Sequence, residues 1–173
     1  PFYMVELAPY RNKPSTETPY FALLRQAQHE AAHSIPNCGI IVTNDLVESY
    51  EQDNIHPAKK KQVGERLAWL ALARDYKLAG VPAAAPTYKS MEVKDKEIII
   101  SMNHLSDGSA NEPNSLVGFS KTHTLRLEGF EIAGEDKVFY PARARMLWWQ
   151  NKIAVSSDKV EKPVAVRYAF KNY

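Results

Sequence analysis

An α/β unit followed by a smaller all-β unit is the fold that this sequence predicts. Apolar, strand-like runs alternate with helical periodicity in the first half of the chain. Short β-rich runs separated by turn residues make up the second half. Between the halves, residues 80–86 contain two prolines among small residues, which is typical of a domain boundary. We therefore expect a doubly wound sheet over 1–80 and a sandwich-like accessory β domain over 81–173.

Four elements account for the first unit. The residues at 2–7 and the uninterrupted apolar run at 39–43 predict strands, and the second run suits a parallel strand covered on both faces. Helical spacing predicts one helix over 20–33 and another from Pro57, because proline suits the first turn of a helix. The loop at 44–56 joins the second strand to the second helix.

The second unit is predicted to contain strands and no helix. Turn signals such as Asp-Gly, Gly-Glu-Asp, Gln-Asn and Ser-Asp separate the β-rich runs, as they do in β-sandwiches. The runs lie at 97–102, 125–132, 138–148, 153–156 and 164–170.

Composition excludes several classes of protein. Lys and Arg number 22 against 20 Asp and Glu, without a long basic block among aromatics, so we expect no nucleic-acid partner. No run of about 18 apolar residues is present, so no membrane span is predicted. Cys38 is the single cysteine, which excludes an intrachain disulfide and fits a buried thiol. The chain opens at Pro1 directly into a predicted core strand, so we expect it to be a piece of a longer protein.

The loop at 44–56 carries the candidate site. His56 follows Asp53 by three residues, in a loop that leaves the carboxyl end of a predicted parallel strand. Ligands bind in this crevice in open α/β sheets. An imidazole can act as a general base, and a carboxylate can fix its tautomer. The alternative is that His56 only caps the following helix and that Asp53 is a solvated acid, because an isolated Asp-x-x-His pattern is a weak signal.

Longer segments carry a family resemblance. Residues 3–10 and 24–28 precede the candidate loop, and residues 127–142 and 163–170 follow it. Around the histidine the sequence has Ile55-His56-Pro57, Lys60, Val63-Gly64 and Arg66-Leu67-Ala68. In this order, the segments together resemble the sialate O-acetylesterase (sialic acid-specific 9-O-acetylesterase) family of SGNH hydrolases.

The resemblance implies the C-terminal part of an SGNH-type esterase domain, followed by an accessory β domain. It implies hydrolysis of O-acetyl esters of sialic acid without a cofactor, in the periplasm or outside the cell. His56 would be the general base and Asp53 its orienting partner. Asp45, just past the strand end, is a second candidate for the orienting acid, because some relatives lack an aspartate three residues before the histidine. No residue identifies the sugar, so another glycan such as acetylated xylan is an alternative substrate.

The nucleophile of such an esterase is missing from this sequence. The family's serine lies near the N-terminus of its catalytic domain, and the chain has no Gly-x-Ser-x-Gly or Gly-Asp-Ser elbow. Ser34, Ser49 and Ser90 are interpreted as turn or surface residues. We therefore expect an N-terminal part of the same enzyme to supply the serine, and this chain to be inactive by itself.

A non-catalytic function is the remaining alternative. The chain could be a glycan-binding or purely structural module in which the β unit is the working part. Trp148 and Trp149 could then stack on a sugar. Alternation along a strand nevertheless predicts at least one of these two side chains in the core. The four histidines other than His56 lack ligand-like spacing, so no metal site is predicted.

Overall fold

The chain forms two compact units. The computed structural model describes residues 1–11, 18–104, 127–147 and 150–173. The first unit comprises Pro1–Ala84 together with Phe170–Tyr173, and the second comprises Ala85–Ala169. The chain thus leaves the first unit after Ala84 and returns to it at Phe170.

A parallel pair of strands with two helices forms the described part of the first unit. Its elements in chain order are β1 (Phe2–Val5), α1 (Tyr20–Ser34), β2 (Cys38–Ile41) and α2 (Lys60–Arg74). The two strands pair in parallel, and both helices contact β2. A parallel pair joined through a helix is the unit from which doubly wound sheets are built. The predicted alternation of strands and helices in this half is confirmed.

The second helix begins later than the sequence predicts. Its first helical residue is Lys60 rather than Pro57. Pro57 is buried in the preceding loop, and the N–H of Ala58 donates to the Glu51 carboxylate at 2.8 Å. Lys59 is the N-cap, with non-helical φ −70° and ψ 53°. The contact with Glu51 therefore keeps the proline in the loop, ahead of the first helical turn.

Gly39 allows α2 to pack closely on β2. A Cβ at this position would lie 3.0 Å from Leu70 Cδ2 and 2.8 Å from Arg74 Nη1. Leu70 is 3% exposed and fills the contact, while Arg74 donates to the carbonyl oxygen of Cys38 at 2.7 Å. The absence of a side chain on Gly39 thus allows the C-terminal half of the helix to lie close against the strand.

The described residues of the second unit form two antiparallel sheets. The strands are β3 (Thr87–Lys94), β4 (Glu97–Asn103), β5 (Phe130–Ala133), β6 (Phe139–Pro141), β7 (Arg143–Leu147), β8 (Lys152–Ser156) and β9 (Ala165–Tyr168). One sheet has the order β3-β4-β8-β7 and the other β6-β5-β9. Both sheets contribute to one core, in which Ile98, Ile132, Ile153 and Val155 are fully buried. This is the packing of a β-sandwich.

One predicted strand is wrong as a single element. Within residues 138–148, the chain forms β6 and then β7, which belong to different sheets. Ala142 lies between them and donates its N–H to the carbonyl oxygen of Phe130 at 3.0 Å. Because Pro141 has no N–H for a ladder, the strand ends there and the chain crosses from one sheet to the other.

A further strand, β3, was not predicted. All eight of its residues are exposed, and its apolar residues, such as Met91 and Val93, lie among charged and polar ones. Backbone pairing with β4 creates it, through a two-residue turn in which Asp95 has φ 55°. Residues 125 and 126 of one predicted strand, and Trp148 and Trp149, lie outside the described residues.

Candidate active site

The loop that carries His56 is held at its start by a helix residue. This segment, residues 42–59, is called the His56 loop below; it leaves the carboxyl end of β2 and leads into α2. Arg66 of α2 donates to the carbonyl oxygen of Val42 at 2.8 Å and to both oxygens of Asp45 at 2.8 and 2.6 Å. Both side chains are largely buried. The structure therefore places the carboxylate of Asp45 on Arg66, where it anchors the loop to the helix.

Glu51 closes the middle of the His56 loop. Its side chain is buried, and its two oxygens accept hydrogen bonds from the N–H of Ala58 at 2.8 Å and of Glu48 at 3.2 Å. The short 3₁₀ turn Ser49–Glu51 brings the carboxylate back over the loop. Sequence reasoning missed this residue, because the capping box that it forms with Glu48 lacks the usual serine or threonine. His56 lies in the segment 51–58, whose two ends are joined by the hydrogen bond from Ala58 to Glu51.

Replacing Glu51 with alanine should lower the free energy of unfolding by about 2 kcal/mol, because two backbone donors lose a charged acceptor. Chemical denaturation of the chain measures the change. Glu65→Ala is the matched control, since Glu65 makes an exposed pair with Lys61 that contributes about 0.5 kcal/mol or less. Equal losses in the two variants would contradict a closing role for Glu51.

The carboxylate of Asp53 forms an ion pair with Arg11, which lies in the segment after β1. Arg11 donates from Nε to Oδ1 of Asp53 at 2.9 Å and from Nη2 to Oδ2 at 2.7 Å. Hydrogen bonding to Asp53 raises the pKa of the Arg11 guanidinium above its ordinary value. The backbone N–H of Arg11 also donates to the carbonyl oxygen of Gln52 at 2.6 Å. The segment after β1 is thus bound to the His56 loop through both backbone and side chain.

His56 itself is exposed to solvent. Its backbone N–H donates to Asn54 Oδ1 at 2.9 Å, and its carbonyl oxygen accepts from Asn54 Nδ2 at 3.0 Å. The hydrogen bonds that the described residues make with His56 therefore use its backbone, which leaves the ring accessible. The structure brings Asp53 and His56 into one short turn, with the carboxylate of Asp53 directed to Arg11.

A second polar cluster lies where the parallel strands end. Glu6 follows β1 and is 4% exposed. Its Oε2 accepts from the N–H of Thr43 at 2.8 Å, and its Oε1 lies 2.9 Å from Nε2 of His29 on α1. Burial lowers the pKa of the nearby Arg25 guanidinium, and the negative charge of Glu6 opposes this change. The cluster ties α1 and β1 to the start of the His56 loop, and only the three-dimensional arrangement identifies it.

Two wider properties concern the described ranges as a whole. In them, no group of three or more His, Cys, Asp or Glu side chains is arranged to hold a metal ion. None of the helices found there is long and apolar enough to cross a membrane.

The fold of this chain is similar to that of a solved carbohydrate esterase. The chain is similar to the crystal structure of a carbohydrate acetylesterase from Xanthomonas citri, with a TM-score of 0.77 and 28% sequence identity. The match covers 99% of this chain and 36% of that one, so the chain spans about a third of the length of that protein. No protein-family model matches the sequence, and a comparison with curated proteins gives no significant match.

Proposed function

We propose that this chain is part of a carbohydrate esterase that removes O-acetyl groups from sugars. The observation that carries the proposal is the similarity, over nearly the whole chain, to the carbohydrate acetylesterase from Xanthomonas citri. The accessible ring of His56, beyond the carboxyl end of β2, supports a catalytic function for this loop. Sialic acid is the proposed sugar, from the resemblance to SGNH-type sialate O-acetylesterases, and acetylated xylan is the alternative. From the same resemblance, we propose that the enzyme acts in the periplasm or outside the cell.

The proposed reaction is acyl transfer in two steps. A serine hydroxyl attacks the acetyl carbonyl while His56 accepts its proton, and His56 then returns the proton to the departing sugar oxygen. Water next attacks the acetyl-serine while His56 accepts its proton, and His56 then returns that proton to the serine oxygen as acetate is released. No cofactor takes part in either step of this proposal.

Asp53 is the proposed orienting partner of His56. The two hydrogen bonds from Arg11 use one lone pair on each carboxylate oxygen, and an ionised carboxylate has about four acceptor positions. We propose that, besides holding Arg11, the carboxylate accepts a hydrogen bond from Nδ1–H of His56, three residues further along the same loop. In this arrangement Arg11 fixes the carboxylate while Asp53 fixes the ring.

The serine is proposed to come from an N-terminal part of the same enzyme. Within the described residues β1 has one strand neighbour, β2, and Phe2 on β1 is 64% exposed. Parallel sheets are normally covered on both faces and contain more strands than two. The open edge of β1 can therefore receive a further strand, which would extend the sheet beside the Glu6 cluster and the His56 loop.

The chain alone is expected to hydrolyse 4-nitrophenyl acetate no faster than its His56→Ala variant. A base without its nucleophile and oxyanion hole lacks the main catalytic groups. The full-length protein that contains the serine should hydrolyse the ester and release acetate from acetylated sugars, with or without EDTA. Robust turnover by the chain alone that His56→Ala abolishes would contradict the division between two parts. Activity lost in EDTA and restored by zinc would indicate metal-assisted hydrolysis instead.

Glycan binding without hydrolysis is a second candidate function. An open depression of about 700 Å³, lined mainly by charged and polar side chains, lies on one face of the four-stranded sheet. Two ion pairs line it, each joining strands that have one strand between them: Arg145 of β7 with Glu97 of β4 at 2.8 Å, and Lys152 of β8 with Glu92 of β3 at 3.1 Å. Such mutually fixed donors and acceptors could bind sugar hydroxyls. Binding of acetylated xylan that Arg145→Ala weakens, together with no hydrolysis by the full-length protein, would favour this candidate.

A further inference from the structure

The first turn of α1 is capped by a residue from the other end of the chain. Pro19 occupies the N-cap position of α1 and offers no side-chain hydrogen bond. The N–H of Phe21 instead donates to Oδ1 of Asn172 at 2.9 Å, and Nδ2 of Asn172 donates to the carbonyl oxygen of Thr18 at 3.3 Å. Asparagine is among the preferred N-capping residues. Asn172 thus performs a local capping function from a distance of 151 residues.

The backbone of Asn172 also holds the segment that leads to Arg11. Its carbonyl oxygen accepts from the N–H of Tyr10 at 2.9 Å, and the Tyr10 ring lies 5.7 Å from that of Phe21. Next to Tyr10, the backbone N–H of Arg11 donates to Gln52 in the His56 loop. Residues 10 and 11 therefore connect the C-terminal tail on one side with the His56 loop on the other.

The ion pair between Arg11 and Asp53 depends on this support. Its side chains are 39% and 47% exposed, and exposed pairs by themselves contribute little. The geometry of the pair is therefore set by how firmly the backbone of Arg11 is held. Arg25, which is buried, reinforces the tail by donating to the carbonyl oxygen of Lys171.

We propose that Asn172 is a positioning residue of the His56 loop, acting through residues 10 and 11 and the pair of Arg11 with Asp53. Its catalytic consequence rests on the proposed function, whereas its effect on the loop does not. Without the side chain of Asn172, the tail keeps its bond to Arg25 but loses its hold on the first turn of α1. The Asn172 carbonyl that accepts from Tyr10 is then held less firmly, and Arg11 no longer holds Asp53 in one place. The ring of His56, three residues further on, then samples several orientations.

The test is the NMR signature of the His56 ring in this chain, recorded at a fixed pH. Asn172→Ala should move the ring nitrogen resonances of His56 in the same direction as Arg11→Gln does. Combining the two substitutions should add no further shift, because both act through one pathway. Asn172→Asp should restore the resonances, since its carboxylate keeps the acceptor for Phe21 at a helix N-terminus.

Ala22→Gly is the matched control, because Ala22 is a buried residue of α1 and glycine weakens the helix without removing the cap. Identical resonance changes in Ala22→Gly and Asn172→Ala, or additive shifts in the double variant, would overturn the proposal. In the full-length enzyme, Asn172→Ala should lower kcat/KM about tenfold while Asn172→Asp stays near the parent. Absence of hydrolysis by the full-length parent would refute the proposed function, and the resonance test would still decide the positioning role.

Discussion

Replacing His56 with alanine in the full-length enzyme is expected to lower kcat/KM for acetylated sugars by about a thousandfold or more. Without its general base, the serine cannot transfer its proton during the attack. Removing His56 therefore also removes most of the contribution of the serine. The ring of His56 is exposed and its hydrogen bonds to Asn54 use backbone atoms, so stability should change by about 0.5 kcal/mol or less. Initial rates of acetate release and chemical denaturation measure the two effects separately.

His33→Ala is the control for this substitution, because His33 is an exposed histidine on α1, outside the His56 loop. It should leave kcat/KM within about twofold of the parent, as expected for a surface change. If His56→Ala retains comparable activity, His56 is only a structural residue of the loop before α2, and its assignment as the general base fails.

Asp53→Asn in the full-length enzyme is expected to lower the rate by about a hundredfold or more. An asparagine can no longer stabilise the imidazolium or select the tautomer whose free nitrogen accepts the serine proton. The same substitution also weakens the pair with Arg11, whose two donors face the carboxylate. Rates must therefore be compared with those of a variant that removes the pair and keeps the acid.

Arg11→Gln is that variant. If Asp53 orients His56, Asp53→Asn should reduce kcat by at least about tenfold more than Arg11→Gln does. Equal losses in both variants would mean that Asp53 acts only by fastening the loop to Arg11, and the orienting role would have to be withdrawn.

Asp45→Asn separates the two candidate acids. Asp45 holds Arg66 through two hydrogen bonds in a largely buried pair, so its substitution should cost about 1 to 3 kcal/mol of stability. The rate of the folded enzyme should remain near that of the parent. A variant that folds normally but loses the rate, while Asp53→Asn keeps it, would transfer the orienting role to Asp45.

Local patterns predicted the elements that carry the candidate site. The apolar run before residue 43 became β2, the periodicity at 20–33 became α1, and the loop with Asp53 and His56 leaves the end of a parallel strand as expected. These features follow from hydrophobic periodicity and from the preferences of Pro and Gly, which act over a few neighbouring residues. The β-rich character of the second unit was predicted for the same reason.

Local patterns could not predict the contacts between residues that lie far apart in the chain. The run at 138–148 has strand character throughout, yet it divides after Pro141 into β6 and β7, which pair with distant strands in different sheets. Edge strand β3 buries none of its residues, including Met91 and Val93. The strand forms through backbone hydrogen bonds to β4. Because most residue types can make these bonds, the sequence of β3 did not reveal it.

The sequence by itself determined the order of strands and helices in the first unit, the β character of the second, and the position of His56 in a loop after a buried strand. Only the tertiary structure decided the partners of the acids: Arg11 for Asp53, Arg66 for Asp45, and His29 with Thr43 for Glu6. It also decided that Asn172 caps α1. The physical reason is that periodicity is encoded locally, whereas an ion pair or a cap needs two groups that lie far apart in the chain and meet only after the elements have packed.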